Sequence, residues 1–202
     1  MKKSDLLKCI AEKGYDVGFG AKKHFATYDI IEKAPGLISF SSMAFGIFAL
    51  AVKGLSTELT SATFIVLGVI GLYISLYDHK KSSYEQSGIA LTKLYNELKA
   101  LYFKVKSLDE ECDFLESQKA LSDIESRYYP ACISKQILLS TWYAHYKFYW
   151  EHQIDWVNEQ LSFNFFRDKV PLSFWLTILI LTIGLIWVFS DIAVLVCNIL
   201  KP

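Results

Sequence analysis

His145 and His152 stand seven residues apart, on one face of any helix that carries them, with Glu151 and Asp155 close by. Imidazole and carboxylate together suggest metal ligation, but this spacing is not that of a tetrahedral zinc motif. Histidines in so aromatic a stretch also serve as hydrogen-bonded packing residues, which is the simpler reading. A basic cluster, Lys22, Lys23 and His24, offers a different chemistry. It can meet anionic lipid headgroups beside a membrane, or an anionic trigger such as a nucleotide. Thr177, Gly184, Asp191 and Asn198 recur every seven residues, so on an α-helix they drift only about 20° per step and share one stripe, which Ser173 extends. Such a stripe is either a small-residue packing face or the polar lining of a pore. An Asp exposed to lipid at mid-membrane costs about 2.5 to 3.5 kcal/mol, so Asp191 should face protein, water or the outer interface.

Catalytic frames are missing. There is no nucleophile elbow, phosphate-binding glycine loop, HExxH or paired carboxylate arrangement, and Gly14, Gly18 and Gly20 give only GxxxGxG without the strand a dinucleotide site needs. These glycines read as a bend. Cys9, Cys112, Cys132 and Cys197 lack CxxC spacing, so neither a zinc site nor a disulfide framework is expected. The 21 Lys+Arg balance the 21 Asp+Glu, leaving no global field that draws nucleic acid. The expectation is no enzyme, no cofactor and no direct nucleic-acid binding. The N-terminus, MKKSDLLKCIAEK, lacks the apolar core and cleavage site of a signal peptide.

The elements that must position these residues are set by hydropathy. With 52% hydrophobic residues and a mean hydropathy of +0.26, the chain is apolar for a soluble domain. Leu37 to Val52 and Ser61 to Tyr77 carry no ionisable group except the terminal tyrosine. Each reaches about 24 to 26 Å as a helix, slightly short of a hydrocarbon core of roughly 30 Å. Joined only by KGLSTELT, they read as a transmembrane hairpin. Ser42 with Gly46, and Gly71 with Ser75, with Gly68 nearby, sit at close-packing intervals and should let the two helices approach. Leu172 to Ser190 holds a dozen Leu, Ile, Val and Phe side chains and reads as a third span. Lys22, Lys23 and Lys33 precede the first span, Lys80 and Lys81 follow the second, and Arg167 and Lys169 precede the third, against only Lys53 and Lys201 on the far side. That bias places the N-terminus in the cytoplasm and the C-terminus outside it, in a multi-pass inner-membrane protein.

Between hairpin and last span, Tyr84, Leu91, Leu98, Val105 and Cys112 recur every seven residues, with Ser87, Leu94, Leu101, Leu108 and Leu115 at the second heptad position. This coiled-coil-like seam packs either on the chain's own helices or on a second copy. Ser107 with Glu110 has capping-box spacing and predicts a break and restart. A single further helix is predicted from Ala131 to about Gln160, carrying Trp142, Tyr143, Tyr146, Phe148, Tyr149, Trp150 and Trp156 as an aromatic belt suited to a membrane interface. The fold class is an all-α membrane protein, divided as an N-terminal cytoplasmic helical segment (1–34), a transmembrane hairpin (35–78), a cytoplasmic helical body (79–168) and a C-terminal transmembrane helix (169–202).

The stretch GYDVGFGAKKHFATYDIIEKAPG, followed at once by the hairpin and a long helical segment, resembles the SLATT family, the SMODS- and SLOG-associating two-transmembrane effectors. Tyr15 through Ile31 is its most specific part, where Tyr15, Ala21, Lys22, Lys23, His24 and Phe25 are similar to the family's pre-hairpin helix. The third span departs from the two-span pattern. The resemblance implies an effector of bacterial anti-phage conflict, encoded beside a nucleotide cyclase, a nucleotide-sensing domain or a reverse transcriptase, that forms membrane pores and stops the infected cell. Here that implies a regulated homo-oligomeric pore causing abortive infection, triggered by a nucleotide second messenger or a defence-operon partner. The alternative is a non-conducting membrane-anchored scaffold or sensor that recruits a soluble partner through its cytoplasmic helices.

Overall fold

The computed structural model describes the backbone of residues 1–52, 54 and 57–199, and the side chains of that set as far as Trp187. The elements run α1 (Lys3–Ala51), α2 (Glu58–Ser75), a 3-10 turn (Asp78–Lys80), α3 (Lys81–Ser107), α4 (Leu115–Ala131), α5 (Ser140–Tyr149), α6 (Asp155–Leu161), a π-helical turn (Phe165–Lys169) and α7 (Leu172–Ile199). Met1–Ser162 and Phe163–Pro202 form two units.

In the first unit α1 is the spine. Leu6, Ile10, Gly14, Val17, Ala21, His24, Thr27 and Ile31 are buried at three- and four-residue intervals, the period that keeps one face turned to a core. Beyond Ile31 burial stops, yet the helix continues for another twenty residues, through Pro35, to Ala51. One helix therefore serves both as the body's backbone and as the first apolar span, and it runs unbroken across the 34/35 division drawn from sequence. Pro35 forfeits the bond to the Ile31 carbonyl, a local cost that a 49-residue helix absorbs.

The heptad seam resolves to the intramolecular choice. Tyr84, Leu91, Leu98 and Val105 are fully buried, Leu94 and Leu101 nearly so, and α3 packs chiefly on α1. The pattern ends there, since Cys112 is half-buried and Leu115 exposed. Large rings enter gaps left by glycines. A Cβ at Gly14 would collide with the Trp156 ring, one at Gly18 would lie 2.8 Å from Tyr95, and one at Gly88 would lie 2.9 Å from Phe25. Gly14 and Gly18 are thus not a bend: α1 passes through them, and they are sockets for aromatics.

The later helices depart from expectation in three places. Ser107 is the last residue of α3, and its hydroxyl donates to the Lys104 carbonyl rather than capping a new helix. The restart comes at Leu115, whose N–H donates to Asp113 Oδ1. Tyr129-Pro130 closes α4 instead of preceding a helix, because a proline in the last turn forfeits only the bond to the Ser126 carbonyl. The single helix over 131–160 is divided into α5 and α6, and the Gln153 carbonyl in the break accepts from the Tyr95 hydroxyl at 3.1 Å. The aromatic belt is correspondingly divided: Phe148, Tyr149 and Trp156 lie in the core, whereas Tyr146 and Trp150 are exposed.

If the sockets set the packing, Gly14→Ala should lower the body's unfolding free energy by about 1 to 3 kcal/mol, the usual cost of overpacking. Gly20→Ala, whose Cβ meets Leu91 at an ordinary 3.6 Å, should be neutral or slightly stabilising. Thermal unfolding followed by circular dichroism separates the two, and equal effects would remove the socket account.

Candidate functional site

Two helices, α1 and the one that begins at Glu58, are long and apolar enough to cross a bilayer. Their mutual face is narrow: Ile38, Ser42, Phe45 and Ala49 are half-buried on α1, as are Phe64, Leu67 and Gly71 on α2, where Ile74 is buried. The Phe45 and Phe64 rings meet at 4.4 Å between centroids. Of the expected packing residues, Ser42 and Gly71 lie on this face, the latter 3.9 Å from Ile38 through an added Cβ. Gly46 and Gly68 lie off it with open space around them, and Ser75 is exposed, its hydroxyl donating back to the Gly71 carbonyl at 3.0 Å. An eight-residue pairing of large and small side chains, with Gly71 its one glycine, holds the hairpin. α2 starts with a reciprocal cap between Thr57 and Thr60, a threonine pair visible in KGLSTELT.

Fifteen large apolar side chains between Leu37 and Leu76 are exposed, Leu50 at 91% and Leu72 at 72%. Full transfer of such a side chain from water to an apolar phase gains about 1.5 to 3 kcal/mol, so the drive of the set toward lipid is on the order of 20 kcal/mol. The hairpin requires an apolar solvent.

At its root a polar clamp joins α1, α3 and the segment 132–139. His24 is 3% exposed. Its Nδ1–H donates to the Gly20 carbonyl at 2.7 Å, and its Nε2 accepts from the Ile133 N–H at 2.9 Å. Thr27 donates to Gln136 Oε1 at 2.5 Å, Gln136 Nε2 donates to the Ile133 carbonyl at 2.6 Å, and the Tyr84 hydroxyl donates to the Lys135 carbonyl. Burial is the main reason the His24 pKa lies below its ordinary value. His24 therefore leaves the basic cluster: it is a fully engaged structural side chain, not a surface contact. Lys22 is half-buried and its pKa is depressed, first by burial and then by the charge of Lys147. Lys147 pairs with Asp29 at 2.7 Å. The clamp was missed from sequence, because the bonds that tie the helices to residues 133–136 span 51 to 109 residues.

The two later histidines pack against aromatic rings. His145 meets Phe19 edge-on at 4.9 Å, and His152 lies 4.7 Å from Tyr95. Burial, with the charges of Lys22 and Lys99, pushes His152 down to about 4. Tyr95 accepts from Trp156 Nε1 at 2.9 Å, and its own pKa is raised by burial to about 12.

In the second unit the part of α7 whose side chains are described, Leu172–Trp187, is apolar over sixteen residues, which by itself is not a clear span where a crossing takes about 20. Ser173 is exposed, Thr177 is half-buried and donates to the Ser173 carbonyl at 2.9 Å, and Gly184 has nothing nearby. The side chains of Asp191 and Asn198 lie outside the described residues, as do Lys53 and Lys201.

Residues 1–178 match the family model of the SMODS and SLOG-associating 2TM effector domain 6. The chain belongs to this family of two-transmembrane effectors, and the match spans the body, the hairpin and the first turns of α7. Comparisons with curated proteins and with solved structures find no match.

Both buried imidazoles are neutral in the folded chain and accept a proton more readily when unfolded, so stability is complete above 6.5 and falls as pH drops toward the depressed folded values. Thermal melts between pH 7.5 and 5 should therefore move downward, and the double variant His24→Gln, His152→Gln should show a shallower slope. An unchanged slope would contradict the assignment.

Proposed function

Starting from membership of that family, we propose that this chain is a membrane effector of a bacterial anti-phage conflict system. In this reading it is a homo-oligomer in the inner membrane whose spans open a conduction path on an infection signal, so that the infected cell is lost before phage mature. The observation that carries it is the hairpin itself: an apolar surface far too costly for water, rigidly continuous through α1 with a well-packed helical body.

The parts take these roles. Segments 1–34 and 79–168 lie in the cytoplasm and receive the signal, delivered by a nucleotide second messenger or by a partner encoded nearby, such as a nucleotide cyclase or a reverse transcriptase. Lys22 and Lys23 are the cationic side chains proposed to meet an anionic trigger or lipid. Segment 35–78 crosses the bilayer twice and 169–202 a third time, with the N-terminus inside and the C-terminus outside. The stripe Ser173, Thr177, Gly184, Asp191 and Asn198 lines the path.

Because the heptad seam is consumed against α1, copies meet through the membrane segments. Gly46 and Gly68, open on the hairpin's outer surface, admit a neighbouring helix at close range.

Expression in cells carrying a voltage-sensitive dye should depolarise the membrane, and Asp191→Leu should suppress depolarisation while leaving insertion intact. A scaffold that only recruits a soluble partner leaves the potential unchanged, which would end the pore reading. The topology has its own check: a reporter fused to the C-terminus should be active only outside the cytoplasm, and cytoplasmic activity overturns it.

A further inference from the structure

Where the hairpin meets the body, an apolar cavity of about 660 Å³ opens between Ile30, Ala34 and Ile38 of α1, Val69 and Ile70 of α2, and Leu138 at its lip. No charged side chain lines it. It is a groove open on one side, and a surface this apolar does not hold ordered water. Its size is that of a small-molecule site. The walls continue into the exposed apolar surface of the spans, because Val69, Ile70 and Leu138 are themselves exposed, Leu138 at 71%. The cavity therefore opens toward the solvent of the hairpin.

The segment that forms its lip is built at some cost. Leu139 takes a left-handed conformation, with φ of 67°, and is 55% exposed beside Leu138. A bulky residue in that conformation persists only where the surroundings enforce it. Here the enforcement is the clamp of His24, Thr27, Gln136 and Tyr84 on residues 133–136. Two leucines are held outward at the level where the spans leave the body.

Immediately next to the lip stands a cation. Lys135 Nζ lies 5.3 Å from the centre of the Tyr77 ring, which packs edge-on against the cavity-lining Tyr73 at 5.6 Å, their hydroxyls 3.2 Å apart. Lys33 and Lys81 at the same root are paired with Asp29 and Glu32. Lys135 has no carboxylate partner among the described residues. Tyrosine rings with an unneutralised lysine are the side chains that mark headgroup level, and basic pockets beside spans hold acidic headgroups.

We propose that this cavity is a binding site for an acidic bilayer phospholipid, one acyl chain lying between α1 and α2 beneath Leu138 and Leu139, and the phosphate at Lys135. The occupant is a lipid rather than a protein helix because the cavity is continuous with the membrane face and has at its headgroup end a lysine, Lys135, without a carboxylate partner among the described residues. The site rests on the membrane reading of the hairpin. It couples the body to the bilayer through the segment 132–139.

The test uses the full chain with a benzophenone photocrosslinker placed at Leu138 or, as a bulk-lipid control, at Leu72. Irradiated in membranes rich in phosphatidylglycerol, both positions should yield phospholipid adducts by mass spectrometry. After extraction and exhaustive detergent washing, the adduct at 138 should persist while that at 72 disappears. Loss at both positions, or a cross-link from 138 to a second protein chain, overturns the site. No lipid adduct at 72 in intact membranes would instead remove the membrane reading. Native mass spectrometry should find phosphatidylglycerol retained by the washed chain, and Lys135→Glu, a change at an exposed side chain, should cut that retention about tenfold. Undiminished retention overturns the phosphate assignment. Ala34→Trp should abolish the adduct at 138, and its persistence in a variant that folds overturns the acyl-chain position.

Discussion

The body depends on rings seated in gaps where a helix has no side chain. Trp156 occupies the place of a Cβ at Gly14, Tyr95 and Phe148 that of one at Gly18, and Phe25 that of one at Gly88. Each contact joins two helices, and together they bind α1 to α3, α5 and α6. The rings are also wired. Tyr95 accepts from Trp156 and donates across the break between α5 and α6 to the Gln153 carbonyl. A polar group that lacked these partners would pay the full cost of burial, so the network fixes the angle at which α6 returns as well as filling space. The short helices α5 and α6 have too few turns to stand alone, and their place is dictated by α1 and α3.

From that interlock follows the mechanical character of the molecule. The helix that carries Gly14 and Gly18 also carries Phe40 and Leu50, with no loop between them. A displacement of the body is therefore transmitted to the first span as rotation or translation of a rod, since side-chain hops in the core cannot absorb it. Relief is available only near Ala34-Pro35-Gly36, where one backbone bond is missing. The polar clamp sits just on the body side of that point, at His24 and Thr27, with Glu32 tied to Lys81 at 2.6 Å. Movement between body and hairpin has to strain these bonds first.

What could be read from sequence divides along the range of the interactions involved. The two hairpin spans were legible because hydropathy is a local signal, and the spacing of Tyr84, Leu91, Leu98 and Val105 was legible as a buried face. The partner of that face was not, because period reports that a surface is covered without naming its cover. The glycines failed for the same reason: GxxxGxG looks like conformational freedom until Trp156 and Tyr95 are known to lie opposite. Ser107 and Glu110 satisfied a cap spacing but lay at the end of a helix instead of its start. The division of 131–160 had no signal at all, since no Gly or Pro marks it and a tyrosine sixty residues away satisfies the break. The hairpin face was half legible. Ser42 and Gly71 are on it, but size alone selected Gly46 and Gly68, which the rotation of the helices turns outward.

That outward placement constrains how copies could associate. Several exposed charged side chains on the body are paired within the chain, Arg127 with Glu97 and Asp123, Lys106 with Glu159, Lys104 with Glu116. Such exposed pairs add little stability, and the charges they hold are not available to attract another body. The apolar seam is already spent on α1. In lipid, by contrast, apolar side chains gain nothing by leaving acyl chains for one another, so association rests on close backbone approach and polar bonds. Small residues that would waste space inside the hairpin have a use on its outer surface. In the proposed oligomer, lipids would compete for that surface, and the bilayer would then act on assembly as a partner as well as a solvent.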